Sequence, residues 1–319
     1  MYIINEEDLV RLNDCRLLTD AMQEAMIKYS GGDFIMPERM HLDFDQNTLL
    51  LMPAVCGDYF ATKLVSLYPD NPKSLLPVLQ GAVMLNDRHT GTPLALLNGA
   101  KLTALRTAAV SAAGIRFLSP KGSTSMGLAG AGVQGLQQVL FTCAVRPITR
   151  VIIYDQIQER IDPFIACLRP LLPDVEFRSA ATAGDMLKSS EIIILATNAK
   201  SPVLPDDAEM LKDKHVVAIG SYKPEMREIP DRLFTLHDRV VVDTELALEE
   251  SGDLIDPIRM GILKPEQVVG LGHLMTSGDP GDFSGGSLFK TVGMALFDLF
   301  AARFFYQRVL EGGFKSTRL

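Results

Sequence analysis

The sequence has little of what marks several functional classes. Its four cysteines in 319 residues, Cys15, Cys56, Cys143 and Cys167, are scattered through apolar or helical surroundings with neither disulfide nor zinc spacing. They read as reduced thiols of a cytoplasmic protein. The five histidines form no ligand pattern, so no metal is expected. No basic run occurs, and a formal charge of −8 argues against general affinity for nucleic acid, which needs clustered Lys and Arg to displace phosphate counterions. No apolar stretch is long enough to span a bilayer, so no membrane partner is expected. The start, Met1-Tyr-Ile-Ile-Asn-Glu-Glu-Asp8, lacks the basic and apolar regions of a signal peptide, and export is not expected.

What is present is an apolar fraction of 47%, ample for a core, in a chain longer than one usual domain. In the first segment, Leu18, Met22, Ala25, Met26 and Tyr29 share one side of a helix that ends at Gly31-Gly32. Strand-like pieces follow at 37–44, 48–55, 59–67, 78–86 and 93–98, the last two flanking a hairpin loop at 87–91. Consecutive strands without helices between them imply a mostly antiparallel sheet. A helix from about 101 to 118 closes at Ser119-Pro-Lys-Gly122, which marks the first domain as residues 1–121. Strands at 125–130, 150–154, 175–179, 191–196, 215–221 and 239–243 then alternate with helical or loop segments. The fold class is therefore α/β, a Rossmann-type doubly wound parallel sheet over 122–289 plus a smaller α+β domain. Phe289, Val292, Ala295, Leu296 and Leu299 fall at helical spacing, which predicts a helix over roughly 287–310. Residues 290–319 are expected to cross back and complete the first domain.

The stretch Gly127-Leu-Ala-Gly130-Ala-Gly132-Val133-Gln134-Gly135 reads as a strand turning directly into a helix. Gly130 permits the tight turn, Gly132 lets backbone approach a pyrophosphate, and Gly135 allows close helix packing. The helix N-terminus offers unpaired N–H donors to the anion. Asp155, 20 residues past Gly135, ends the next strand. Its carboxylate can accept both adenosine ribose hydroxyls and would repel a 2′-phosphate, so NAD is the expected cofactor.

Polar groups that interrupt apolar faces mark the other candidates. Strand alternation puts Lys63 on the face of Ala61, Val65 and Leu67, where an ammonium must be paired, exposed at an edge, or functional. Arg106 lies in the stripe of Leu102, Val110, Ala113 and Phe117, as a buried ion pair or a ligand-binding group. Arg39 shares a face with His41 and Asp43. Two arginines and a lysine beside a dinucleotide site suit an anionic substrate, because Arg grips carboxylates bidentately.

Several segments together, in order from about residue 36 to 300, resemble the ornithine cyclodeaminase/mu-crystallin family. They are Pro37-Glu-Arg-Met40, Ala61-Thr-Lys-Leu-Val65, Gln80-Gly81, Thr103-Ala-Leu-Arg-Thr-Ala-Ala-Val-Ser-Ala112, the glycine fingerprint, Ile219-Gly-Ser-Tyr-Lys-Pro-Glu-Met-Arg-Glu228, Glu250-Ser-Gly-Asp253 and Phe289-Lys-Thr-Val-Gly-Met294. The resemblance implies a homodimer whose first domain holds substrate and dimer contacts while the second binds NAD(P). It implies that Arg39 and Arg106 bind the substrate carboxylate and that Lys63 faces the reacting carbon–nitrogen centre. Gly130, Gly132, Val133, Gln134, Gly135, Asp155, Thr197, Asn198 and Ser221 are the matching cofactor positions. Three positions depart from the pattern. Tyr222 stands where members that cyclise ornithine carry an aspartate, Leu79 where many have histidine, and His273 where an acid is frequent.

These readings lead to an NAD-dependent amino-acid dehydrogenase or imine reductase, with Lys63 catalytic and a small amino or imino acid as substrate. Ornithine cyclodeaminase, which would return NAD unchanged, is the alternative enzyme, and Tyr222 counts against it. A non-catalytic NAD(P)-dependent ligand-binding protein, in the manner of mu-crystallin, is the alternative of another class. Side-chain specificity is expected from the loops 69–76 and 278–286.

Overall fold

The computed structural model describes residues 1–278, 281–312 and 317–318. Positions 279 and 280 of the expected specificity loop, and 313–316 and 319 of the expected crossing segment, lie outside the described residues. The chain divides into two compact units, one of residues 1–107 with 294–319 and the other of 108–293.

The first unit is built on a seven-stranded sheet. Its strands are β1 (Tyr2–Ile4), β2 (Met40–Phe44), β3 (Asn47–Cys56), β4 (Tyr59–Leu67), β5 (Leu79–Asp87), β6 (Pro93–Asn98) and the C-terminal pair Thr317–Arg318, which lies beside β1. Pairing from β2 to β6 is antiparallel, as the run of strands without helices implied, and only β1 joins β6 in parallel. In β3 the side chains of Thr48, Leu50, Met52, Ala54 and Cys56 are buried in strict alternation, so one face of the sheet is core. That face is covered by the C-terminal helix Ala295–Glu311, which packs on β3, β4 and β5 and on helices α1 (Glu6–Leu12) and α2 (Cys15–Gly31). Asp14 caps α2 by accepting the N–H groups of Arg16 and Leu17, and Gly32 at φ +74° ends it.

Helix α3 (Gly99–Leu118) begins in the first unit and ends in the second. At its end the buried Arg146 guanidinium donates to the carbonyls of Ile115, Arg116 and Ser119, taking up acceptors that a helix terminus leaves open.

The second unit carries eight parallel strands: β7 (Ser125–Ala129), β8 (Arg150–Tyr154), β9 (Glu176–Ser179), β10 (Ile192–Leu195), β11 (His215–Ala218), β12 (Val240–Val242), β13 (Val268–Gly270) and β14 (Ser287–Lys290). Their order, β13-β12-β14-β11-β10-β7-β8-β9, reverses direction around β7 and β10 in the doubly wound manner. Strands β10, β11, β12 and β14 are buried at every residue, as a sheet covered on both faces requires.

One expectation is corrected here. Residues 287–290 are not the first turn of the last helix but strand β14, inserted between β11 and β12. Leu288 and Phe289 are fully buried, and a short apolar run of that kind has no period by which to tell a buried strand from a helix. Gly293 at φ +76° separates the strand from the helix that starts at Ala295. The short strands β1, β13 and Thr317–Arg318 were likewise absent from the sequence reading.

Candidate active site

The first unit gathers the charged residues that stood out in the sequence. On β4, Lys63 lies between its register partners Met52 and Val83, on the face that the C-terminal helix covers. Its Nζ is 2.6 Å from Oδ2 of Asp298 on that helix. Arg106, on α3, donates Nε–H to Oδ1 of the same carboxylate at 3.0 Å. One carboxylate thus joins a strand cation to a helix cation. The side chains of Lys63, Asp298 and Arg106 are only 3%, 1% and 8% exposed.

Burial pushes the Lys63 ammonium down to about 8 from its ordinary 10.5. Asp298 opposes this through its charge and hydrogen bond, while the guanidiniums of Arg106 and Arg39 press in the same direction as burial. Arg39, half-buried just before β2, is therefore close enough for its charge to bear on Lys63. Lys63 and Arg106 share the single buried carboxylate of Asp298, an excess of one positive charge. Buried charge is tolerated when it is paired, so the arrangement calls for an incoming anion.

Asp298 was missed by the sequence reading. Its signal was an acid standing alone in the helical run Phe297-Asp298-Leu299-Phe300, the same kind of interruption that exposed Arg106.

The second unit holds the glycine loop at the carboxyl end of β7. Gly130 adopts φ +107°, and a Cβ there would come within 2.4 Å of the Ala196 carbonyl oxygen. A Cβ on Gly135 would meet the Gly130 carbonyl oxygen at 2.2 Å, so this glycine lets the helix α4 (Val133–Val145) start directly beneath the turn. At Gly132 a Cβ would meet nothing within 4 Å. No side chain caps α4, Val133 is 75% exposed, and Oε1 of Gln134 is buried without a partner. Open space before uncapped N–H donors, with an orphan polar atom beside it, fits the pyrophosphate of a dinucleotide. Asp155, buried at the end of β8, accepts the N–H groups of Ala131 and Ile157, each at 2.8 Å, and so braces the loop.

Thr197 and Asn198 follow β10, and Ser221 follows β11. Ser221 is fully buried: its hydroxyl bonds the Met226 carbonyl and Ser251, and its own carbonyl accepts from Lys290 Nζ at 2.6 Å. Tyr222, next in the chain, is exposed. Leu79 begins β5, and His273 lies exposed in the short helix Leu271–Thr276. Among the described residues no group of three or more His, Cys, Asp or Glu is placed to hold a metal ion.

A scan against protein families matches residues 3–313 to the ornithine cyclodeaminase/mu-crystallin family. The chain belongs to that family. Among its relatives, the Delta(1)-pyrroline-2-carboxylate reductase of Bacillus cereus is 33% identical over 299 residues, covering 91% of this chain and 90% of that protein. The ketimine reductase mu-crystallin of Rattus norvegicus is 29% identical over 323 residues, 98% of each chain. Among solved structures, Thermococcus litoralis Delta(1)-pyrroline-2-carboxylate reductase in complex with NADH and L-proline superposes with a TM-score of 0.92 at 30% identity over the whole of both chains. The α/β architecture with its parallel dinucleotide-type sheet is therefore that of ornithine cyclodeaminase/mu-crystallin family proteins.

Proposed function

We propose that this protein is an NAD-dependent imine reductase that converts an α-imino acid to the α-amino acid, acting in reverse as an amino-acid dehydrogenase. The observation that carries this reading is the excess of positive charge around Lys63. Arg39 and Arg106 hold the substrate carboxylate, whose charge matches that excess. The bound carboxylate places the adjoining C=N group beside Lys63. In the reductive direction the Lys63 ammonium donates a proton to the imine nitrogen, and Asp298 holds the lysine in position through donation and reprotonation. In the oxidative direction the neutral amine takes that proton back. Asp298 is a positioning residue in this scheme. The glycine loop and Asp155 would hold NADH, which when bound would supply the hydride that imine reduction requires. The relatives named as pyrroline-2-carboxylate and ketimine reductases support a cyclic imino acid as the substrate class.

The test is an NADH-coupled screen of cyclic imino acids and of 2-oxo acid plus amine pairs. Net NADH consumption is expected with the cyclic imines. Proline formed from ornithine without added reductant would replace this reading by cyclisation.

The protein works as a homodimer on the same reading. On the face of the first sheet opposite Lys63, Met40, Leu51 and Leu64 stand in register across β2, β3 and β4. Met40, Leu42, Leu64 and Met84 are 59%, 54%, 46% and 38% exposed, an apolar patch suited to a second copy. Leu64→Asp should yield monomers by light scattering. Four cysteines outside any disulfide accord with a cytoplasmic site of action.

A further inference from the structure

A second buried ion cluster lies in the second unit, and the proposed proton transfer does not use it. Glu228, Asp253 and Lys290 are all fully buried. Oε1 of Glu228 accepts both the N–H and the hydroxyl of Thr197, each at 2.7 Å. Its Oε2 accepts the N–H groups of Gly220 at 2.6 Å and Ser221 at 3.3 Å. A single carboxylate therefore clamps the chain just beyond β10 to the chain just beyond β11. The two segments are in direct contact, since a Cβ on Gly220 would come within 2.0 Å of the Thr197 carbonyl oxygen. Asp253 fixes the clamp from behind by accepting the Glu228 and Ile229 N–H groups at 2.7 and 2.9 Å. Lys290 completes it, 3.0 Å from Asp253 and donating to the Ser221 carbonyl.

The location gives the clamp a function. A dinucleotide lies across the carboxyl ends of a doubly wound sheet, with adenosine on one side of the glycine loop and nicotinamide on the other. Asp155 assigns the β8 side to adenosine. The ends of β10 and β11 then border the nicotinamide half. We propose that Glu228 is a positioning residue for that half: it sets the spacing of the Thr197 and Gly220–Ser221 segments against which the nicotinamide riboside rests. This rests on the cofactor reading above. Burial raises the Glu228 carboxyl above its ordinary range, with Asp253 adding to the rise and Lys290 and the Thr197 donors opposing it.

The experiment measures binding of two probes, NADH and ADP-ribose, the second lacking nicotinamide. The chain has no tryptophan, so NADH fluorescence is read without transfer from indole, and ADP-ribose is read by its displacement of NADH and by calorimetry. Glu228→Gln keeps the shape but turns an amide NH2 toward backbone donors. It should weaken NADH by roughly tenfold or more, the scale of a lost charge-assisted hydrogen bond, and leave ADP-ribose within about twofold. Thr197→Val, which removes only the hydroxyl, should show a smaller selective loss even if Glu228→Gln fails to fold. Thr197→Ser, which keeps the hydroxyl bonded to Glu228, should recover most of the NADH affinity lost in Thr197→Val. The proposal is overturned if the folded variants bind NADH normally, or if both probes weaken equally. Failure of the parent protein to bind NADH at all overturns the cofactor reading together with it.

Discussion

The two units each bury a lysine against a carboxylate, yet the two clusters are built for opposite ends. Around Lys63, two cations, Lys63 itself and Arg106, share one acid, and those charges come from side chains on separate elements. Around Lys290, two acids share one cation, and the extra negative charge is met by backbone donors from Thr197, Gly220, Ser221, Glu228 and Ile229. The first cluster keeps one cation more than its acid balances, which on the proposed reading a substrate carboxylate meets. The second is complete in itself, and what it contributes is shape. A buried ion pair thus says little until its charges are summed and its hydrogen bonds followed to their ends.

The contrast can be broken most directly by removing each lysine. Lys63→Met should lower imine reduction by roughly 10²–10⁴-fold, the usual contribution of a general acid, while NADH titration and the melting temperature stay near the parent values. Surviving turnover would remove Lys63 from the mechanism. Lys290→Met should act in the reverse manner. It leaves two buried carboxylates without their cation and should cost about 3–5 kcal/mol in urea unfolding. Loss of turnover at unchanged stability would mean that this cluster too is chemical.

Smaller effects sharpen the comparison. Asp298→Asn withdraws the interactions that favour the Lys63 ammonium, so the lysine should lose its proton at lower pH than in the parent. Reduction at pH 8 should then fall on the order of tenfold, with binding of NADH unaffected. An unshifted pH profile would show that Asp298 only fills space. In the parent protein, reduction needs the protonated lysine and oxidation the neutral one. The kcat/KM for imine reduction should therefore decline as pH rises through about 8, and that for amino-acid oxidation should rise through the same value. Parallel profiles in both directions would assign the limb to another group.

How much of this was legible beforehand depended on the range over which each feature acts. The glycine loop could be read because Gly130 and Gly135 answer local demands, a left-handed turn and a near contact within a few residues. Lys63 and Arg106 could be read because a charge on an apolar face is anomalous on its own element. Asp298 carries the same signal, but its partner Arg106 lies 192 residues away, and nothing near it in the sequence marks what it pairs with. Ser287–Lys290 was misread because a buried four-residue strand carries no period. Glu228, Asp253 and Lys290 lie in segments that resembled the family, yet their mutual pairing joins elements whose adjacency only the sheet order reveals.

The first unit being made of the two ends of the chain has a consequence for how the protein is born. Lys63 and Arg106 leave the ribosome with the opening third of the sequence, whereas Asp298 arrives after the whole second unit has been synthesised. Until the last helix docks, that lysine has neither its carboxylate nor the cover that lowers its proton affinity. The sheet of the nascent first unit also waits with an open apolar face, which makes this the stage most exposed to aggregation. The lowered proton affinity of Lys63 is therefore a late acquisition, present only once the helix that carries Asp298 has closed over the sheet.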